Sequence, residues 1–259
     1  MNETVQRNFS EFTWTEINEL GVEDGVLVLP IGAIEQHGPH LTVDCDLVFA
    51  DRFLDMTLAE IDADLKIWRL PILPFSKSNE HHDFPGTIWL SAQTLTSVIS
   101  DICSSAKNMG FRKIVFWNCH GGNRALLEVI SRDMRIEYDL MIFQIFAASI
   151  EDPLSPLNPQ EPKYGIHAGE FETSIMLALD PERVREDKLN CEYPNFPSEK
   201  LALENADATI AWKTSDFQKS GTFGDATGAT TERGKVRLDL LIQKLIDIII
   251  EIVKFKVVG

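Results

Sequence analysis

Short runs of continuous apolar residues alternate along this chain with segments whose apolar residues recur every three or four positions. The continuous runs cover residues 25–32, 65–74, 112–119 and 140–149. The segments with helical spacing cover residues 46–62, 91–110, 124–138 and 172–180. Strands that are apolar throughout are typical of a parallel sheet buried on both faces. The alternation therefore predicts an α/β fold with a mainly parallel central sheet.

Helix boundaries and the C-terminal stretch add detail to this prediction. Ser91 suits the N-cap of the helix over 91–110, and Gly110 suits its end. The apolar C-terminal stretch is interrupted at steps of three or four by Gln243, Lys244, Asp247, Glu251 and Lys254. This polar stripe predicts a packed terminal helix that could also form a subunit contact, and it argues against a membrane span.

The length of 259 residues and the hydrophobic fraction of 44% fit one folded domain over residues 1–259. Two long irregular segments stand out, a proline-rich one at 151–165 and a glycine- and threonine-rich one at 220–235. Long loops in a compact domain usually have a function, so we expect these two to form walls of a site.

The net charge of −16 makes nucleic acid an improbable partner, because a polyanion would be repelled. The four cysteines form no Cys-x-x-Cys pair, and the N-terminal residues have no apolar core of the signal-peptide type. These features predict a cytoplasmic protein with reduced thiols.

Imidazoles and carboxylates follow three of the four predicted strands. Glu35 and His37 come after the first strand, His120 comes after the third, and the segment HAGEFETS after the fourth contains His167, Glu170 and Glu172. Ligands of open α/β sheets bind beyond the carboxyl ends of the strands, which lie at one edge. The sequence therefore predicts that these side chains meet in one site.

Several of these residues also have purely structural explanations. Asp46 suits the N-cap of the helix over 46–62, and Glu170 and Glu172 suit the first turn of a helix. His40 and Asp44 could serve only to satisfy backbone groups. His81 and His82 are expected to be exposed to solvent.

Taken together, imidazole and carboxylate side chains suit a divalent metal such as zinc or manganese. A carboxylate such as Asp46 can bridge two ions, and pairs of ions about 3.5 Å apart activate water for hydrolysis. Other chemistries have less support, because the chain has no GxSxG or phosphate-loop motif and Cys119 suits a small buried residue. The glycine pair in HGGNR could bind an anionic group together with Arg124, but a tight strand-to-helix turn explains it more simply.

Five segments together resemble the creatininase family, the creatinine amidohydrolase-like proteins. They are LPIGAIEQHGPHLTVDCD, FPGTIWLS, NCHGGN, HAGEFETS and GTFGDATGATTERG. The resemblance covers about residues 25 to 235. It implies a three-layer α/β/α fold, two divalent ions per subunit and hydrolysis of C–N amide bonds. The ions would be zinc or manganese, with iron as a further candidate, and the assembly a homo-oligomer, with a hexamer favoured.

The resemblance also implies roles for individual residues. Glu35 and His120 would bind one ion, His37 and Glu172 the other, and Asp46 would bridge them. His167 would pass a proton to the leaving nitrogen, with Glu172 as an acid beside it. Substrate contacts are expected from Gly121, Gly122, Asn123, Tyr164 and Glu170.

Two departures from the family argue against creatinine as the substrate. Creatinine-cleaving members have His-Tyr-Glu-Asn where this chain has residues 120–123, and a Trp-Asp pair before the His-Ala-Gly where this chain has KYGI. The sequence thus predicts an amidohydrolase for another small molecule, a cyclic amide, a formamide or a small peptide, that uses metal-activated water. Alternatives are a deformylase acting on a ribosylaminopyrimidine phosphate, a two-metal phosphatase and a non-catalytic metal-binding scaffold.

Overall fold

A computed structural model describes residues 5–198, 200–204 and 207–256 of the chain. Its central sheet has the strands β1 (Val26–Ile31), β2 (Ile67–Arg69), β3 (Lys113–Asn118) and β4 (Met141–Phe146). They lie in the order β2-β1-β3-β4, and each neighbouring pair is parallel. The predicted parallel sheet is confirmed.

The second strand is shorter than the apolar run that predicted it. β2 ends at Arg69, and beyond it only Leu73 bridges back to Ile31. Pro71 and Pro74 lie in the remainder of the run, and each lacks the backbone N–H that a ladder needs. The fourth strand also ends early, because residues 147–149 form a 3₁₀ turn.

Eight α-helices accompany the sheet in the described part of the chain. They are α1 (Trp14–Ile17), α2 (Cys45–Glu60), α3 (Ala92–Met109), α4 (Arg124–Tyr138), α5 (Glu161–Tyr164), α6 (Glu170–Leu179), α7 (Thr214–Phe217) and α8 (Thr231–Lys254). Helices α2, α6 and α8 pack on one face of the sheet, and α3 and α4 pack on the other. The architecture is therefore the expected α/β/α arrangement of three layers.

The apolar side chains of β1 divide between the two faces. Val26 and Val28 join the core under α2, α6 and α8, whereas Leu27, Leu29 and Ile31 join the core under α3 and α4. Successive side chains of a strand point to opposite faces, so a strand covered on both sides must be apolar at every position. This burial explains the continuous apolar runs of the sequence.

The predicted helix ends and the packed terminal helix are confirmed. The Ser91 hydroxyl accepts a hydrogen bond from the Thr94 N–H, and Gly110 ends α3 with φ of 103°. Helix α8 packs closely on α6, since a Cβ at Gly234 would lie 1.8 Å from the carbonyl oxygen of Ser174. Over the described residues, no helix combines the length and apolarity that a membrane crossing requires.

A small antiparallel ladder was not predicted. It joins β5 (Cys191–Glu192) to β6 (Gly224–Asp225). Just before β6, the Phe223 N–H donates to the carbonyl oxygen of His167, and the His167 N–H donates back to Phe223. This pairing brings the glycine- and threonine-rich loop to the carboxyl edge of the sheet.

Candidate metal centre

Six of the predicted site residues meet at the carboxyl edge of the sheet. They are Glu35, His37, Asp46, His120, His167 and Glu172. The loop after β1 supplies two of them, the first turn of α2 supplies Asp46, and His120 lies two residues after the end of β3. The remaining two lie just before and within the first turn of α6. Their potential ligand atoms fall into overlapping groups of three, each within 4.8 Å.

The first group consists of Glu35, Asp46 and His120. His120 Nδ1 lies 3.2 Å from Glu35 Oε2 and 3.2 Å from Asp46 Oδ2. On the other side of the ring, Nε2 lies 2.8 Å from the carbonyl oxygen of Lys77, to which it can donate. A hydrogen bond of this kind fixes the tautomer and leaves Nδ1 as a ligand atom.

The second group consists of His37, Asp46 and Glu172. His37 Nε2 lies 3.4 Å from Asp46 Oδ1. Glu172 accepts a hydrogen bond of 2.6 Å from the backbone N–H of Ala168, a residue with a positive φ of 55°. Because Asp46 belongs to both groups, its two oxygens can serve two neighbouring ions.

The histidine before α6 belongs to a third group of potential ligand atoms, together with Glu35 and His37. His167 Nδ1 lies 3.8 Å from Glu35 Oε1, and its ring centroid lies 4.3 Å from that of His37. Its Nε2 is 2.7 Å from the carbonyl oxygen of Gln36, which can accept its proton.

The chemistry of the donor set fits divalent metal ions. Four atoms in the site are buried without a hydrogen-bond partner among the described residues, namely both carboxylate oxygens of Glu35, Nε2 of His37 and Oδ2 of Asp46. Buried polar atoms without partners are rare in folded proteins because their desolvation is costly. Cations bound between imidazole and carboxylate would satisfy these atoms, and such ligands suit zinc and manganese.

The electrostatics of the site agree with a place for cations. Burial opposes charge on His120, yet the adjacent carboxylates of Glu35 and Asp46 raise its pKa well above the usual value. Burial, with the nearby charge of Asp46, raises the pKa of Glu172 to about 7. Burial and the charge on His37 lower the pKa of His167 well below the usual value. Without cations, protons are needed to balance the buried carboxylates.

Asp46 is not the N-cap of its helix. Helix α2 begins at Cys45 with Asp44 in the cap position, so Asp46 lies inside the first turn. The side chain of Asp44 is instead paired with Arg183 and accepts a hydrogen bond from Thr42. His40 is fully buried, and its Nε2 lies 3.1 Å from the hydroxyl oxygen of Thr173.

Glu170 lies outside the groups of potential ligands. Its carboxylate forms two short hydrogen bonds with Arg237 and further ones with Arg233 and Ser174. These hydrogen bonds outweigh burial and lower its pKa to about 2. The Glu170 carboxylate is therefore held by the α8 arginines.

A cavity of about 550 Å³ opens over the groups of potential ligands. Gly121, Gly122 and Arg124 line one side of it, and Glu170 also lies in its wall. Asn123 is fully buried, and its carboxamide is hydrogen-bonded to Asn118, Ser76 and the N–H of Lys77. In the described part of the chain, neither Asn123 nor Tyr164 belongs to the cavity wall, and the ring of Tyr164 faces Lys163.

The sequence did not identify several residues that lie at this site. Only 3% of His81 is exposed, so the expectation that it faces solvent is wrong, whereas His82 is exposed as expected. His81, Glu80 and Trp212 all line the cavity. His81 and Glu80 lie ten or more residues after β2, so the strand-end rule gave no signal for them.

The sequence is similar to those of known proteins from one family. The family model for creatininase, creatinine amidohydrolase, matches residues 10–249. The creatinine amidohydrolase of Pseudomonas putida is 30% identical over 264 residues, covering 93% of this chain and 95% of that protein. A mycofactocin precursor peptide peptidase from Mycobacterium tuberculosis is 30% identical over 215 residues, covering 81% and 78%.

Solved structures give the same result. The Mn form of creatininase has a TM-score of 0.77 at 26% identity and covers 95% of this chain and 98% of that chain. A creatininase mutant of the Zn-Zn type has a TM-score of 0.76 at 25% identity, with the same coverage.

Proposed function

Because this chain belongs to the creatininase family, we propose that it is a metal-dependent hydrolase that cleaves a C–N amide bond in a small molecule larger than creatinine. Family relatives are named for cleaving creatinine and a precursor peptide. One observation carries the proposal for this chain. Two groups of buried or half-buried potential ligands share Asp46, and an open cavity lies over them.

In the proposal, Glu35, Asp46 and His120 hold one divalent ion, and His37, Asp46 and Glu172 hold another. Zinc and manganese suit these ligands, with iron as a further candidate. Bound divalent ions make water more acidic and polarise a carbonyl oxygen.

His167 is proposed to move the proton. Its Nε2–H is held by the carbonyl oxygen of Gln36, which leaves Nδ1 with a lone pair next to Glu35. Burial lowers the pKa of His167, so the ring is neutral in the resting site and readily passes on a proton that it takes up. From that position Nδ1 can take a proton from the attacking water and deliver it to the departing nitrogen. The acid Glu172 lies in the same cluster as a second proton-handling group.

The cavity indicates the kind of substrate. Its volume of about 550 Å³ is in the range that accommodates drug-sized ligands, which are far larger than the creatinine ring. Phe146, Ile150, Ile166 and Trp212 supply apolar wall on the substrate side. A short peptide or a substituted amide therefore fits better than creatinine.

The charges in the wall disfavour the alternatives that require a phosphate group. The acids Glu80, Glu161 and Glu204 line the cavity together with two arginines. The charge on Arg237 is balanced by Glu170 and Asp152, and Arg124 interacts with the charge of Glu204. Carboxylates repel phosphate, which argues against the deformylase and phosphatase alternatives. A scaffold without activity would not need an open cavity over its ligands.

The decisive experiment is a hydrolysis panel with Zn²⁺ or Mn²⁺ added to the purified protein. Cyclic amides, N-formyl compounds, short peptides and a generic phosphate ester are incubated with it and analysed by mass spectrometry. We expect cleavage of an amide and none of the ester. A protein that binds metal but cleaves only the ester would contradict the proposal.

Two variants connect activity to the metal centre. Glu35→Gln and His120→Ala are each expected to lose bound metal and amidase activity together. Glu60→Gln and His82→Ala are matched controls because both residues are exposed. Variants that keep full activity without metal would contradict the assignment.

The oligomeric state of the protein and its location in the cell are also proposals. We propose a homo-oligomer, with a hexamer expected, in a compartment where the thiols stay reduced, as in the cytoplasm. The four cysteines are free. Light scattering on the purified protein measures the subunit count.

A further inference from the structure

His81 is held by polar neighbours beside the candidate metal centre, although it is not one of the proposed metal ligands. It lies in the 3₁₀ turn Asn79–His81 and is buried beside the cavity. Its two ring nitrogens face different partners. Nδ1 lies 2.8 Å from Gln36 Nε2 and 2.8 Å from the hydroxyl oxygen of Thr214, and Nε2 lies 3.4 Å from Glu35 Oε1.

The Gln36 carboxamide determines which nitrogen of His81 carries the proton. Its oxygen accepts a 2.9 Å hydrogen bond from the Gly38 N–H, and its nitrogen donates to the carbonyl oxygen of Gly221 at 3.1 Å. These two bonds fix the orientation of the amide. The amide nitrogen also lies 3.1 Å from His167 Nε2, but that ring nitrogen donates to the carbonyl oxygen of Gln36 and cannot accept. The two amide hydrogens therefore go to the carbonyl oxygen of Gly221 and to Nδ1 of His81, which places the proton of the neutral His81 ring on Nε2.

Close packing around Gln36 makes this orientation hard to change. Gly221 has φ of +90°, and a Cβ at this position would lie 1.9 Å from Gln36 Oε1. Thr214, which also contacts Nδ1, is fully buried at the start of α7. Two separate segments thus contact the His81 ring at Nδ1, and a third, at Gly221, holds Gln36 in place.

The other side of the His81 ring faces the carboxylate of Glu35. Glu35 Oε2 lies 3.2 Å from His120 Nδ1, and neither oxygen of this carboxylate has a hydrogen-bond partner among the described residues. Among the described residues, Nε2 of His81 is the ring nitrogen nearest to Oε1, at 3.4 Å against 3.8 Å for Nδ1 of His167, although no hydrogen bond joins them in this structure. Donors behind a ligand carboxylate orient it and strengthen metal binding.

We propose that His81 is a positioning residue, which donates from Nε2 to Glu35 and holds that carboxylate in place to bind the ion shared with His120. This inference rests on the proposed function for the existence of a metal centre. It assigns His81 no contact with the ion itself.

Metal affinity tests the role of His81 without any substrate. Metal-free protein is titrated with Zn²⁺ in competition with a chromophoric chelator, which resolves the two binding steps. His81→Asn keeps an atom near Nδ1 but loses the donor at Nε2, so we expect one binding step to weaken by about 10- to 100-fold. The other step, which uses His37 and Glu172, is expected to stay within about threefold.

Two further variants separate positioning from general damage. His81→Gln places an amide donor near the position of Nε2 and is expected to restore most of the lost affinity. His82→Asn changes the neighbouring exposed histidine and is expected to bind both ions like the wild type. If His81→Asn binds both ions with wild-type affinity, or weakens both steps equally, the inference is wrong.

A measurement on the unmodified protein covers the case in which His81→Asn does not fold. Long-range ¹⁵N–¹H correlation spectra report which nitrogen of each histidine is protonated. We expect Nε2 for His81, and a proton on Nδ1 would overturn the inference. Failure of the proposed function looks different, because then the wild type binds no Zn²⁺, or binds it and cleaves no amide.

Discussion

Glu170 and Glu172 lie two residues apart in the first turn of α6, yet their surroundings are opposite. The Glu170 carboxylate accepts hydrogen bonds from Arg233, Arg237 and Ser174, and its pKa falls to about 2. The Glu172 carboxylate accepts one from the Ala168 N–H and lies near Asp46, and burial raises its pKa to about 7. Arginine side chains balance the charge on Glu170, whereas the charge on Glu172 can be balanced only by bound protons or by added cations.

This difference separates a structural carboxylate from a functional one. Burying charge is costly, so a buried acid with arginine partners stabilises the fold only while those partners stay. A buried acid that lies among other acids adds repulsion unless a cation joins them. The contrast predicts that the same chemical change at the two positions will have different consequences.

Glu172→Gln is expected to have the largest effect of the changes that test this contrast. The variant removes the charge that the His37 group would use to hold an ion, so that ion is expected to be lost. Activity should fall by at least about 10³-fold, equivalent to about 4 kcal/mol. Metal analysis and kcat on an amide substrate measure the effect. Retention of two ions with normal activity would remove Glu172 from the centre.

Glu170→Gln is the matched change and is expected to affect stability rather than metal binding. Only 1% of the Arg237 side chain is exposed, and the variant deprives it of a charged partner. Breaking a buried ion pair costs about 3–5 kcal/mol, and the polar glutamine favours the lower end. For a chain of this size about 3 kcal/mol lowers the Tm by roughly 6–12 °C.

Thermal unfolding with metal analysis distinguishes the two glutamate variants. The expected pattern is a lower Tm with two bound ions for Glu170→Gln. Loss of an ion from that variant at an unchanged Tm would show that Glu170, rather than Glu172, belongs to the centre.

The fold was predictable because burial on both faces leaves a signal in each strand. Residues 114–117 are apolar at every position, and the structure places them in β3, in the middle of the sheet. The extent of β2 was not predictable from apolarity alone. Pro71 is as apolar as its neighbours, but it cannot donate to the ladder.

Site residues that lie close after a strand end were predictable from the sequence. Residues whose role depends on partners far away along the chain were not. Glu35, His37 and His120 lie within six residues of the ends of β1 and β3, and the geometry of a parallel sheet brings them together. Nothing near Glu170 in the sequence shows that Arg237, 67 positions later, will bind it. His81 likewise depends on Thr214, which is 133 residues away along the chain.

Arg233→Ala is expected to have the smallest effect, and it tests which arginine balances the charge on Glu170. The Arg233 side chain is 21% exposed, and the variant leaves Arg237 with both hydrogen bonds to the carboxylate. A partly exposed ion pair contributes about 1 kcal/mol or less, so unfolding by denaturant should show a loss of about that size. Arg237→Ala is the comparison, and its loss should be about 3–5 kcal/mol because a buried carboxylate loses its main partner. Equal losses of stability from the two variants would mean that both arginines are needed to balance the charge on Glu170. The buried Arg237 alone would then not explain why the surroundings of Glu170 differ from those of Glu172.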